Sequence, residues 1–220
     1  MTSSVNVCEV IGVLPAAGRA TRVSPLPCSK EILPAGLRVT EDGRGVQPKA
    51  VSHYLLEKMS LAGIRKAYIV LREGKWDIPT YYNDGAALLD MHLAYLMMRL
   101  PYGPPFTVDQ AYAFVRHAII AFGFPDVLFE PRDAFVRLLE RQAATGADVV
   151  LGVCPTQPAD TLTDRLDIDP DGHVRRIAVK SQTSDMQFTG SWPCGRPCSL
   201  NSCMPALPQC LQARSFPIAK

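Results

Sequence analysis

An α/β fold, with a mostly parallel but mixed sheet flanked by helices, is predicted by two observations. Short β-branched runs alternate with amphipathic stretches over the first 180 residues, the pattern of βαβ units. Helix punctuation falls where that pattern needs it, with Gly63 and Gly146 just beyond apolar periodic segments and Pro131 at the head of one.

Taken in order, Val10 to Val13 reads as a buried strand entering a loop rich in proline and glycine. Leu37 to Gln47 is a polar insert with a hairpin tip at Asp42 and Gly43. Pro48 to Ala62 reads as a helix, its inward face formed by Val51, Leu55, Leu56 and Met59. Lys66 to Leu71 is a strand, and Leu93 to Met98 a further candidate whose Met and Leu suit helices equally well. Thr107 to His117 reads as a helix with Val108, Ala111, Tyr112 and Val115 inward. Ile119 to Phe124 is a strand that delivers Asp126 to its C-terminal end. Pro131 to Ala144 is a helix, Ala147 to Val153 a buried strand, Asp169 to Gly172 a turn, and His173 to Lys180 the strand after it.

Domain organisation divides near residue 190. Residues 1–190 form one domain, expected to be incomplete at its C-terminus, and residues 191–220 an irregular tail. From Trp192 onward Pro, Cys, Ser and Arg crowd together without helical or strand periodicity. Back-translated and read two bases on from the start of the Trp192 codon, the tail permits Ala-Val-Trp-Thr-Pro-Val-Phe-Thr-Glu-Phe-Met-His-Ala. That reading alternates like a strand and then opens a helix, so the expectation is an out-of-frame, truncating tail.

Bulk properties exclude several classes. A formal net charge of +2 gives no electrostatic reason to expect a nucleic acid or an acidic membrane surface. No apolar run reaches the roughly 18 residues that span a bilayer. The stretch from Met1 to Val10 carries Glu9 and no basic flank, unlike a secretory signal, so a cytoplasmic location is expected. Of seven cysteines, Cys194, Cys198, Cys203 and Cys210 lie in the tail at a spacing that matches no common zinc pattern, and no histidine accompanies them.

The chemistry concentrates between Leu14 and Pro34. A buried strand runs into Ala16, Ala17 and Gly18, whose small size lets backbone approach a phosphate or a base. Arg22 and Lys30 follow at fixed distance, separated by prolines that stiffen the loop. Backbone N–H groups with fixed positive charge are what a triphosphate needs. The spacing is neither that of a Walker A loop nor that of the dinucleotide fingerprint.

Gly18, Thr21, Arg22, Pro25, Lys30, Leu33 and Pro34 resemble the signature of the sugar-phosphate nucleotidyltransferase family, which includes glucose-1-phosphate thymidylyltransferases and UTP–glucose-1-phosphate uridylyltransferases. The resemblance continues through Pro48 to Val51, Leu61 to Ile64, Phe124 to Asp126, the strand Ala147 to Val153 and Ala178 to Lys180, covering residues 9–192. It implies a glycosyltransferase-A-like, Rossmann-type nucleotide-binding domain. It also implies transfer of a nucleotidyl group from a nucleoside triphosphate, UTP or dTTP favoured, to a sugar 1-phosphate with release of pyrophosphate. In that scheme Arg22 and Lys30 are catalytic, Ala16, Ala17, Gly18, Thr21 and Gly103 bind nucleotide, Lys180 meets the sugar phosphate, and Asp126 ligates Mg²⁺. Two alternatives stay open: an inactive nucleotide-binding homologue, and a nucleotidyltransferase with a non-sugar phosphate acceptor. Homo-oligomerisation is compatible with either.

The sequence departs from the signature at several points. Ala20 stands where a second glycine is usual, and Met98 where many members carry the Gln that reads the base edge. Gly103, Pro104 and Pro105 replace a Gly-Leu-Ala or Gly-Leu-Pro turn, and Lys180 lacks its flanking Glu and Pro. The second magnesium carboxylate is expected beyond Gly190. Elsewhere, Glu130 is expected to cap the next helix, and His53, His92, His117 and His173 to lie on helix surfaces or turns. Arg137, Glu140 and Arg141 are read as a solvated helix face. Trp76, Tyr81 and Tyr82 fit either ring stacking on a ligand or packing onto the sheet.

Overall fold

The computed structural model describes residues 8–40, 42–99, 103–155, 164–178, 188–195 and 218–219. The chain divides into two compact units, one formed by residues 12–111 and 122–135, the other by residues up to 11, 112–121 and from 136 onward.

The first unit holds the remainder of β1 (Val10–Pro15) from Gly12 onward. Val13 and Leu14, on opposite faces of the strand, are both fully buried, as a central parallel strand requires. A hairpin of β2 (Pro34–Val39) and β3 (Val46–Ala50) follows, turning over Asp42 and Gly43 as expected. Helix α1 (Val51–Leu61) therefore starts later than the sequence suggests. Pro48 reads as a first helical residue, but antiparallel pairing carries Pro48 opposite Leu37 and Ala50 opposite Pro34, and that tertiary pairing prevails. The helix stops at Gly63, in the left-handed region at φ 80°, with the Ile64 N–H returning to the Met59 carbonyl.

Strand β4 (Lys66–Leu71) pairs parallel with β1, placing Gly12 opposite Ala67. A Cβ on Gly12 would lie 2.9 Å from the Ala67 Cβ and 3.0 Å from the Met59 sulfur, so glycine allows α1 to sit close on this pair of strands. Two short helices, α2 (Asp77–Tyr82) and α3 (Ala86–Leu89), are too short to leave a periodic signal. Strand β5 (His92–Met97) runs parallel to β4, resolving the Met/Leu ambiguity in favour of a strand. Helix α4 (Pro104–Val115) begins in this unit. Phe122 to Phe135 return to it, with the Gly123 N–H directed to the Val13 carbonyl at 3.4 Å.

The second unit contains most of β6 (Ile119–Phe122), where the Ile119 N–H meets the Glu9 carbonyl at 2.8 Å. Helix α5 (Ala134–Thr145) begins beyond Pro131 rather than at it, and ends at Gly146 as expected. Strands β7 (Val149–Pro155), β8 (Arg165–Ile168) and β9 (Val174–Ala178) bury Leu151, Leu166 and Val174 together. Strand β8, only four residues long, leaves no periodic signal in the sequence. Strand β10 (Phe188–Gly195) pairs antiparallel with both β6 and β7, which makes the sheet mixed. It also corrects the expected onset of the irregular tail, because backbone pairing extends through Trp192 to Gly195 without needing alternating side chains. A two-residue strand β11 (Ile218–Ala219) pairs parallel with β7. The remainder of the tail lies outside the described residues, and with it the out-of-frame reading. Among the described residues no helix is long and apolar enough to cross a membrane.

Candidate active site

Everything at this site belongs to the first unit. The Ala16 N–H extends the ladder past Pro15 by donating to the Val70 carbonyl at 2.8 Å, so the loop leaves the sheet with a fixed start. Ala16 and Ala17 are buried; Ala17 packs with Val70 and Met98. Met98 is thus a buried apolar packing partner of the loop's start. Gly18 is exposed at the loop's turn outward. Ala20 takes φ 54°, the left-handed region that a side chain disfavours, at the position where the resembling signature has glycine. Thr21 and Arg22 follow it, exposed, in the turn closed by the Val23 N–H on the Ala20 carbonyl.

Lys30 opens a short 3-10 turn, Lys30–Ile32. Its Nζ lies 2.6 Å from Oδ2 of Asp126, which the loop after β6 brings across 96 residues of sequence. A Cβ on Gly18 would stand 3.9 Å from the same Nζ. The structure therefore brings together Gly18, Lys30 and Asp126. Arg22 lies on the exposed turn that follows Ala20. Gly103 precedes α4, with φ 123° that only glycine adopts freely, and its carbonyl receives the Thr107 N–H at 3.2 Å. Lys180 lies outside the described residues.

Two contacts fix the backbone around Lys30, and neither was visible in the sequence. Ser29 donates its backbone N–H and its hydroxyl to the two oxygens of Asp77, at 2.6 and 2.7 Å. Glu31 receives both its hydrogen bonds from Lys75 Nζ, at 2.7 and 2.6 Å. This pair is almost fully buried, and burial holds the Lys75 pKa below its ordinary value despite the upward pull of Glu31. Cys28, between Pro27 and Ser29, has its thiol pKa raised by burial and by the charges of Asp77 and Glu31, so it remains a thiol. Between this loop and the β4–α2 turn, residues 72–77, opens a cavity of about 430 Å³.

Other sequence candidates resolve into structural roles. Trp76 is 58% exposed on the cavity wall, whereas Tyr82 is buried against Tyr81 and bonded to Ser52 at 2.7 Å, so packing accounts for Tyr82. Glu130 does not cap α5, which starts four residues later; it pairs with the buried Lys58 at 3.4 Å. His53 is buried rather than superficial, with Nε2 3.3 Å from Glu57, and burial lowers its pKa to about 4. Asp169, Asp171 and His173 cluster in the turn before β9, but Asp169 is already engaged by the His173 N–H and by Arg175.

No family model matches the chain, and no curated protein sequence is similar to it. Solved structures are. A UDP-glucose pyrophosphorylase complexed with UDP-glucose superposes with TM-score 0.72 at 15% identity, covering 96% of this chain and 90% of its own. A candidate glucose-1-phosphate thymidylyltransferase from Bacillus anthracis, in complex with sucrose, gives TM-score 0.72 at 13% identity, covering 84% and 70%. The likeness establishes the fold: the expected glycosyltransferase-A-like α/β architecture, a parallel core flanked by helices.

Proposed function

We propose that the protein transfers a nucleotidyl group from a nucleoside triphosphate, UTP or dTTP by preference, to a sugar 1-phosphate, releasing pyrophosphate. The observation that carries this reading is the meeting of Gly18, Lys30 and Asp126 at the end of a parallel sheet. Backbone, cation and carboxylate converge there, and ligands in open α/β sheets bind at the carboxyl ends of the strands. The names of the two similar structures support the same reaction class.

In this scheme a sugar-phosphate oxygen attacks the α-phosphorus. The bond from that phosphorus to the bridging oxygen breaks, and the electron pair leaves with pyrophosphate. Lys30 exchanges Asp126 for phosphate oxygens and holds them in line, and Arg22 closes from the exposed turn on the α-phosphoryl group. Lys180 is assigned to the sugar phosphate. Asp126 would hold Mg²⁺; a single partly exposed carboxylate suits that ion, which is commonly bound by one or two carboxylates plus substrate phosphates. When bound, the ion neutralises phosphate charge. The chain's own contribution is positioning, with no covalent intermediate.

The test is pyrophosphate release across a panel of nucleoside triphosphates and sugar 1-phosphates with Mg²⁺. Release that requires both substrates, and falls at least about 100-fold in Lys30→Ala, is expected. Release that ignores the acceptor, or none with any pair, overturns the proposal.

A further inference from the structure

Helix α1 carries a cation on the face it turns to the core. Lys58 stands three residues beyond Leu55 and next to Met59, both buried, and its own side chain is only 7% exposed. Burying an ammonium is unfavourable unless polar partners meet it. Those partners come from one short segment, the loop between β6 and α5. Lys58 Nζ donates to the Pro131 carbonyl and to Oε2 of Glu130, each at 3.4 Å, and lies 5.1 Å from the centre of the Phe129 ring. Glu130 is exposed, so its ion pair is screened by water and contributes little by itself. The bond to the backbone carbonyl and the face of the half-buried Phe129 are what tie the chain to the helix.

The same face of α1 holds the other end of the loop. Residues three apart on a helix are surface neighbours, as Leu55 and Lys58 are. A Cβ on Gly123 would lie 2.6 Å from Cδ1 of Leu55, so a side chain there would displace the buried leucine. Between the two ends Pro125 is buried, and the Val127 N–H closes a turn on the Phe124 carbonyl at 3.2 Å. Asp126 sits within that turn, with its Oδ2 2.6 Å from Lys30 Nζ. A short loop pinned at both ends by one helix has few ways to present its middle.

We propose that Lys58 is a positioning residue for Asp126: by holding Phe129 to Pro131 against α1, it keeps the Asp126 carboxylate in reach of Lys30. In the transfer reaction proposed above, the same hold would fix Asp126 toward Mg²⁺. Only that second step rests on the transfer reading. Lys58 acts through the loop, not on a substrate.

Lys58→Met keeps the length of the side chain and removes its charge and its donors, in surroundings that accept an apolar group. Amide hydrogen exchange of the full chain is followed without any ligand. Exchange in residues 124–129 is expected to speed up about 10-fold or more, with β4 unchanged. Lys58→Gln, uncharged but still a donor, is expected to act in the same direction, and Lys58→Arg to restore slow exchange at least in part. Glu130→Gln spares the Pro131 contact and should change exchange by less than about threefold. In the pyrophosphate-release assay, the Mg²⁺ concentration for half-maximal rate should rise about 10-fold in Lys58→Met, while kcat at saturating Mg²⁺ stays within about threefold. A lysine with a purely structural role would instead speed exchange throughout the sheet, or lower kcat with the fraction folded. Unchanged exchange at 124–129 in folded Lys58→Met and Lys58→Gln, or faster exchange everywhere, overturns the proposal. Local loosening with an unchanged Mg²⁺ requirement keeps the anchor and overturns its role toward Mg²⁺. If the wild-type chain shows no acceptor-dependent release, the transfer reading falls, and exchange alone decides for or against the anchor.

Discussion

Replacing Lys75 by Met removes one member of a buried ion pair and leaves the other in place. The side chains of Lys75 and Glu31 are only 4% and 2% exposed, so the stranded carboxylate cannot recover hydration without opening the loop. Breaking such a pair typically costs about 3–5 kcal/mol. Against a total stability of about 5–15 kcal/mol, that is a large fraction. Urea unfolding should therefore show a midpoint lowered by about 1–3 M at an ordinary slope. The double variant Lys75→Met with Glu31→Leu replaces both charges by apolar groups and should regain wild-type stability or exceed it. Glu31→Gln leaves Lys75 buried alone, and its depressed pKa sets the sign of the pH dependence. Below 10.5 the unfolded lysine binds protons that the native one gives up, so stability rises with pH between the lowered native value and 10.5. A loss below about 1 kcal/mol in Lys75→Met, the level of an exposed pair, would refute the buried-pair reasoning.

Three further outcomes are expected. Ala20→Gly relieves the left-handed strain at φ 54° and should raise the melting temperature, the gain being up to about 1 kcal/mol after glycine's larger unfolded-state entropy is counted; an unchanged or lowered melting temperature would contradict it. Asp77→Ala removes both acceptors of Ser29 and loosens Lys30, so the KM for the triphosphate should rise about tenfold or more in the transfer assay, with Asp77→Asn retaining part of the effect; unchanged KM in folded protein would show that the clamp does not position Lys30. His53 stays neutral in the fold at a pKa near 4, against 6.5 for the free residue, so stability is full above pH 6.5 and falls on acidification toward pH 4, by at most about 3 kcal/mol. Chemical denaturation across that range should show the slope, and His53→Gln should flatten it.

How much was legible in the sequence followed the range of the interactions. Strand β4 lies between the residues read from its apolar run, and Gly63 and Gly146 end their helices, because hydrophobic period and left-handed glycine are local properties. The start of α1 is not legible locally, because Pro48 satisfies both helix and strand rules and only its pairing with Leu37 decides between them. Helices α2 and α3 and strand β8 are too short for a period to build up. Gly18, Lys30 and Asp126 could be named in advance because each stands in a recognisable loop. Asp77 and Lys75 could not, since their partners Ser29 and Glu31 lie 48 and 44 residues away and nothing in either segment points to the other.

These unforeseen contacts explain how a flexible cation becomes a fixed one. A lysine in a proline-rich loop would have to be ordered by the ligand itself, at the expense of affinity. Here the residues on either side of Lys30 are each held by two short hydrogen bonds, Ser29 by Asp77 and Glu31 by Lys75. The backbone that carries the ammonium is thereby fixed in the folded protein. Asp126 then holds the Nζ at 2.6 Å, so that the proposed reaction would exchange one oxygen ligand for another rather than require a search. Electrostatic stabilisation of transferring phosphoryl groups depends on charge positioned beforehand, because no reorganisation then accompanies the reaction. In the proposed reaction the Ser29 clamp and the Glu31 ion pair would serve Lys30 by fixing its backbone, without either side chain touching a substrate.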